Sequence, residues 1–77
     1  MNTIEKMTKI TLNEEVRLVF RGVLWFKVVY ASEINLFRSG KPSYVRNKEG
    51  ERFNYEFLDC DSKEIIDKLV ERNKKYL

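Results

Sequence analysis

The sequence contains no histidine, so the commonest metal ligand and the commonest general base are both missing. Cys60 is the only cysteine, which excludes an intramolecular disulfide and the stapled design of small secreted domains. Glycine occurs three times and proline once, leaving no phosphate-cradling glycine loop and no low-complexity linker. Long apolar runs are also missing. The most apolar stretch, Val16 to Tyr30, is interrupted by Arg17, Arg21, Gly22 and Lys27, too short and too charged to cross a bilayer. Met1 to Ile10 lacks the apolar run of a signal peptide, so the cytoplasm is the expected location.

What is present fits one small domain over residues 1–77. Charged residues make up 35% and hydrophobic residues 43%, a balance that favours a globular chain over a disordered one. The net charge of +3 is unevenly placed. Residues 17–52 carry eight basic groups against three acidic ones, an excess of five, while each flank has a net charge of −1. A basic centre of this kind is compatible with a polyanionic partner.

Apolar spacing organises the chain. Residues 1–8 are expected to be loose, and 9–12 to form a short edge strand. Val16, Leu18 and Phe20 alternate with Arg17, Val19 and Arg21, as in a strand with two unlike faces. After Arg21-Gly22, read as a turn or bulge, Val23 to Ala31 is rich in Val, Trp, Phe and Tyr and reads as a second strand. The rival is one helix from Leu12 to Ala31, entered through Asn13. Five valines and a central glycine weigh against it. Ile34 to Arg38 is a third strand candidate, and residues 39–43 read as a loop. Tyr44–Arg46 and Arg52–Leu58 flank Asn47-Lys48-Glu49-Gly50 as a hairpin, with Phe53, Tyr55 and Phe57 on one side of its second arm. Asp61 and Glu64 fit a capping box opening a helix whose apolar stripe is Ile65, Ile66, Leu69, Val70, Tyr76 and Leu77. The expected fold class is α+β: a mainly antiparallel sheet of three to five strands with a C-terminal helix packed on one face.

The inventory for catalysis is thin. Asp59, Cys60 and Asp61 are the one compact polar cluster. They read as a strand end, a thiol and a helix cap, since no further ligands stand at metal-site spacing. Two adjacent carboxylates also disfavour a thiolate at Cys60. No catalytic residue, metal, cofactor or small-molecule substrate is expected, and the function expected is non-enzymatic binding.

The candidate site residues are Arg17, Arg21, Trp25, Lys27, Arg46, Lys48 and Arg52. If Val16, Leu18 and Phe20 face the core, then Arg17 and Arg21 face outward. Trp25 and Lys27 are read as joining them on the next strand, in a set with Val23 and Val29. Arg46, Lys48 and Arg52 around the hairpin extend that surface. Cations for phosphates beside an aromatic plane for bases are the two elements of single-strand nucleic-acid binding. The bland reading is that Trp25 is core and the basic side chains are solvated. The alternative function is a protein–protein module, a stoichiometric regulator or inhibitor of phage or mobile-element type. It would act as a homodimer or through an apolar face holding Val19, Val23, Trp25 and Val29.

Overall fold

The computed structural model describes residues 9–22 and 25–74. The first strand, β1, runs Lys9–Arg21 and the second, β2, runs Phe26–Leu36. Strand β3 spans Pro42–Asn47 and β4 spans Arg52–Asn54. A 3-10 turn at Tyr55–Phe57 leads into helix α1, Cys60–Lys74. The sheet is antiparallel throughout, in the order β1-β2-β3-β4, and α1 packs on one face. This is the α+β architecture expected from the sequence.

Several boundaries differ from the expectation, among them the start of β3 at Pro42, inside the loop expected over 39–43. The short strand at 9–12 is continuous with β1, and the strand expected at Ile34–Arg38 is the second half of β2. Bulges hide both continuities. Between Thr11↔Glu33 and Val16↔Ala31 the register slips by three residues, so Leu12 and Val16 both pack against the core although the intervening alternation breaks. On β2 a second irregularity between Ala31 and Glu33 shifts the buried set from Val29 and Ala31 to Ile34 and Leu36. The β1–β2 turn is not Arg21-Gly22 but four residues long, closed by Gly22 N–H donating to the Trp25 carbonyl at 2.9 Å. A Cβ on Gly22 would lie 2.8 Å from the Trp25 indole, so the ring itself demands glycine there.

The β3–β4 hairpin forms where expected. Asn47 directs it: its carbonyl accepts from Gly50 N–H at 3.0 Å and its side-chain oxygen from Glu51 N–H at 2.8 Å. Gly50 takes the left-handed φ of 85° that the turn requires. The second arm is shorter than its alternation suggests. It ends at Asn54, because Tyr55–Phe57 coil into the 3-10 turn that carries the chain back toward β1. Phe53 is buried and Tyr55 packs on the core, whereas Phe57 is exposed.

The core comprises Ile10, Leu18, Val29, Ala31, Ile34, Leu36, Val45, Phe53 and Leu58 from the sheet side, with Ile66 and Val70 from α1. Leu69 packs at the margin of this core, but Ile65, expected on the same stripe, is exposed. Tyr76, Leu77 and the expected loose segment 1–8 lie outside the described residues.

The helix cap is Asp59 rather than Asp61. Asp59 Oδ1 accepts the Ser62 N–H at 2.8 Å, three residues on, and its carbonyl accepts from Lys63 N–H at 2.9 Å. The carboxyl of Asp59 is held below its ordinary value, chiefly by the Ser62 backbone and hydroxyl hydrogen bonds and further by the nearby Arg21 and Arg17 charges. The same two residues tie the helix to the free edge of β1. Asp59 N–H donates to the Val19 carbonyl at 3.0 Å, and the buried Ser62 Oγ accepts the Val19 N–H at 2.8 Å. Ser62→Ala strands that N–H, and the expected loss is about 1–3 kcal/mol of stability in a urea melt. Asp59→Ala lowers the melting temperature and Asp61→Ala leaves it near the parent value, the reverse of what the sequence spacing suggests.

One ionisable group couples α1 to the turn before it. Tyr55 Oη donates to Asp67 Oδ1 at 2.7 Å. Burial, that hydrogen bond and the Asp67 charge together push the phenol up to about 12. A phenol that ionises later in the folded chain than in the unfolded one stabilises fully below about pH 10 and loses that contribution as pH rises from 10 toward 12. Tyrosinate absorbance is expected to show one late-titrating tyrosine, absent in Tyr55→Phe.

Candidate functional site

Pairing register assigns each side chain to a face. Val16, Leu18 and Phe20 lie opposite Ala31, Val29 and Lys27, and this set faces α1. Arg17, Val19 and Arg21 lie opposite Tyr30, Val28 and Phe26, and this set faces away from the helix. Beyond the bulges the outward set continues with Lys9, Thr11, Glu33 and Asn35, then Tyr44 and Arg46 of β3 with Arg52 and Asn54 of β4.

The helix-free face therefore groups Arg17, Arg21, Arg46 and Arg52 with Phe26, Tyr30 and Tyr44. Phe26 is 68% exposed and Tyr30 50%. The Arg21 guanidinium lies over the Phe26 ring at 5.0 Å, and Arg52 and Arg46 lie over Tyr44 at 4.2 and 5.2 Å. Arg46 and Arg52 are directly paired across β3 and β4, a like-charge opposition that ordinarily weakens a strand pair. Arg46 is partly neutralised by Glu33 at 3.7 Å and donates from Nη1 to the Gly50 carbonyl. Among the described residues Arg17, Arg21 and Arg52 form no salt bridge. Glu33, also 4.0 Å from Lys9, is the one acidic side chain that register places among these arginines.

Three of the seven residues expected from the sequence, Trp25, Lys27 and Lys48, do not join this face. Trp25 packs its ring 5.7 Å from Phe20, and Phe20 in turn meets Phe53 and Phe57 at 5.2 and 6.0 Å. The indole caps the end of the core while leaving half its surface exposed. Lys27 lies on the same side, 5.2 Å above the Phe53 ring. The proposed apolar face of Val19, Val23, Trp25 and Val29 is likewise divided: Val29 is buried, Val19 faces outward and Val23 lies outside the described residues. The ladder is the physical reason: Phe20 and Leu18 face Lys27 and Val29, so that alternating set of β2 shares the core side of the sheet. With the turn at Gly22–Trp25, Phe26 rather than Lys27 stands beside Arg21. Lys48 occupies the β3–β4 turn, 4.0 Å from Glu15. The residues missed from the sequence are Phe26, Tyr30 and Tyr44. Their signal is the alternation Phe26, Val28, Tyr30, which the ladder places on the side of the arginines.

Cys60 is exposed at the first position of α1, and no group of three potential metal ligands clusters among the described residues. No helix among them is long and apolar enough to cross a membrane. The chain matches no protein-family model, no curated protein and no solved structure.

Proposed function

We propose that the protein is a non-enzymatic binding module that holds single-stranded nucleic acid on the helix-free face of its sheet. The supporting observation is the grouping of four arginines with two exposed aromatic rings, Phe26 and Tyr30, and the half-buried Tyr44 on that face. Arginines neutralise phosphates, and aromatic planes stack on unpaired bases of any sequence. An open sheet face suits a splayed single strand better than a duplex, whose grooves admit a helix or ribbon rather than a sheet face. The direct opposition of Arg46 and Arg52 is relieved when an anion lies between them.

The test is binding of short labelled DNA and RNA single strands and of a matching duplex across a salt series. If the four arginines each neutralise a phosphate, log affinity falls against log salt with a slope of roughly −3. Single strands bind more tightly than the duplex. No binding of any of these at low salt overturns the reading and returns the face to the protein-partner alternative.

A further inference from the structure

Among the described residues, no strand pairs with the edge of β2 nearest the β1–β2 turn. Strand β3 accompanies β2 only from Ala31, opposite Asn47, to Leu36. From Phe26 to Tyr30, β2 has β1 on one side and no strand among the described residues on the other. Hydrogen-bond phase fixes which groups this edge presents. Val19 directs its N–H and carbonyl to Ser62 and Asp59, away from β2. Leu18 and Phe20 therefore direct theirs toward β2, where Val29 and Lys27 receive them. Phe26, Val28 and Tyr30 are left pointing three N–H groups and the carbonyls of Phe26 and Val28 at the open edge, the Tyr30 carbonyl being turned to the Asn47–Lys48 end of β3 by the Ala31–Asn47 pairing.

We propose that this edge pairs with the same edge of a second copy of the chain, antiparallel about a twofold axis through Val28. The segment is self-complementary. In that register Val28 meets Val28, Phe26 meets Tyr30, and four backbone hydrogen bonds close the ladder, two between the valines and one from each Tyr30 N–H to a Phe26 carbonyl. The cross-strand neighbours are aromatic with aromatic and valine with valine, pairs that stabilise a sheet, and Lys27 meets Val29 rather than another charge. The available length matches as well. The free edge ends at β3 on one side and at the β1–β2 turn on the other, so each arm fills the gap beside its partner.

Charge supports a copy of this chain as the occupant. A groove of about 200 Å³ runs along the edge, lined by Lys27, Val28 and Tyr30 and bounded toward β3 by Glu15, Asn47 and Glu49. Lys48 lies 4.0 Å from Glu15 at that end, so Glu15, Lys48 and Glu49 leave one net negative charge there, toward which antiparallel pairing brings the partner's arm tip with its Lys27. The two β1 strands then lie about 14 Å apart, three strand spacings, beyond the screening length of roughly 8 Å at physiological salt. Repulsion between the arginines of the two copies is therefore weak. Exposures of 43% at Val28 and 50% at Tyr30 leave the edge accessible in the single chain. Pairing over five residues is a small interface, so the dimer exchanges with monomer. The inference is independent of nucleic-acid binding, because self-association is read without any ligand.

Sedimentation velocity of the full chain from micromolar to hundreds of micromolar is expected to show a monomer–dimer equilibrium. Val28→Pro removes an N–H that serves only the intermolecular ladder, so the dissociation constant rises about thirtyfold for the two symmetry-related bonds lost. Val28→Lys sets like charges on the axis and gives the same shift should the proline variant fail to fold, with circular dichroism reporting folding. Val28→Cys in a Cys60→Ser background is expected to cross-link under mild oxidation, since directly paired Cα atoms about 5.5 Å apart are within disulfide reach. Ser39→Cys in the same background is the control and is expected not to. A monomer at every concentration overturns the proposal. So does a dimer indifferent to Val28→Pro and Val28→Lys, or a Val28→Cys variant that cross-links no faster than the control.

Discussion

Ile66→Ala is expected to leave the chain largely unfolded at room temperature. Ile66 is fully buried at the centre of the α1–sheet contact, with Val70 one turn further on and Leu18, Ile34 and Val45 among the buried residues of the sheet side. Removing three buried carbons forfeits their transfer from water and leaves a cavity, together about 2–5 kcal/mol. A domain this small, with no disulfide and no metal cluster among its described residues, holds only about 3–5 kcal/mol in reserve. The loss is thus comparable with the whole stability. Ile65→Ala, one residue away, touches a side chain that is 39% exposed and is expected to change the urea midpoint only slightly. If the two variants melt alike, α1 does not pack through the Ile66–Val70 stripe.

That contrast also marks what periodicity reveals. Helical spacing identified α1, since Ile66, Leu69 and Val70 recur at three to four residues, but Ile65 satisfied the same pattern and is exposed. The stripe is wider than the strip of sheet that α1 covers. Spacing also named Asp61 as the cap, because Asp61 and Glu64 have the separation of a capping box. Asp59 takes the position instead because its N–H is also needed by the Val19 carbonyl, forty residues earlier. A contact of that range leaves no trace in local sequence. The same holds for the strand expected over Arg52–Leu58: alternation continues through Tyr55 and Phe57, yet the backbone turns at Asn54 so that Leu58 can bridge to Phe20.

The sheet side of the candidate site was legible in one strand and not in its neighbour. Alternation alone separated Arg17 and Arg21 from Leu18 and Phe20. Transferring that face to β2 requires only the parity of the connecting turn, because one residue of register moves every side chain to the other side and turns of two and four residues leave the faces alike. The sequence alone groups Trp25 and Lys27 with the arginines because theirs is the more polar of the two alternating sets on that strand. The turn is Gly22–Trp25, held by the Gly22–Trp25 backbone hydrogen bond and by the indole lying over a residue without a Cβ. The aromatic partners of the arginines are therefore Phe26 and Tyr30, with Tyr44 added by β3. The basic hairpin residues needed no such transfer, since Arg46 and Arg52 follow from the Asn47–Gly50 turn and pair directly.

Arg17→Gln with Arg21→Gln is expected to abolish binding of a short single strand at physiological salt and to reduce the salt slope by about 1.4 at low salt, about 0.7 for each phosphate contact removed. Glutamine is the substitution to use. Both arginines lie close enough to Asp59 to hold its carboxyl down, so a glutamate at either position would also oppose the helix cap and confuse lost affinity with lost stability. Arg46→Gln with Arg52→Gln is expected to weaken binding similarly while slightly stabilising the β3–β4 pair, whose like charges no longer face each other. The aromatic rings discriminate further. Phe26→Ala and Tyr30→Ala each remove a stacking plane and are expected to reduce affinity by about 1–3 kcal/mol. Trp25→Ala removes the ring that packs on Phe20 on the opposite side of the sheet, so it lowers the melting temperature and leaves the affinity of the folded protein nearly unchanged. The reverse pattern, with Trp25→Ala losing affinity and Phe26→Ala and Tyr30→Ala silent, places the binding surface on the helix side and sinks the proposed interface.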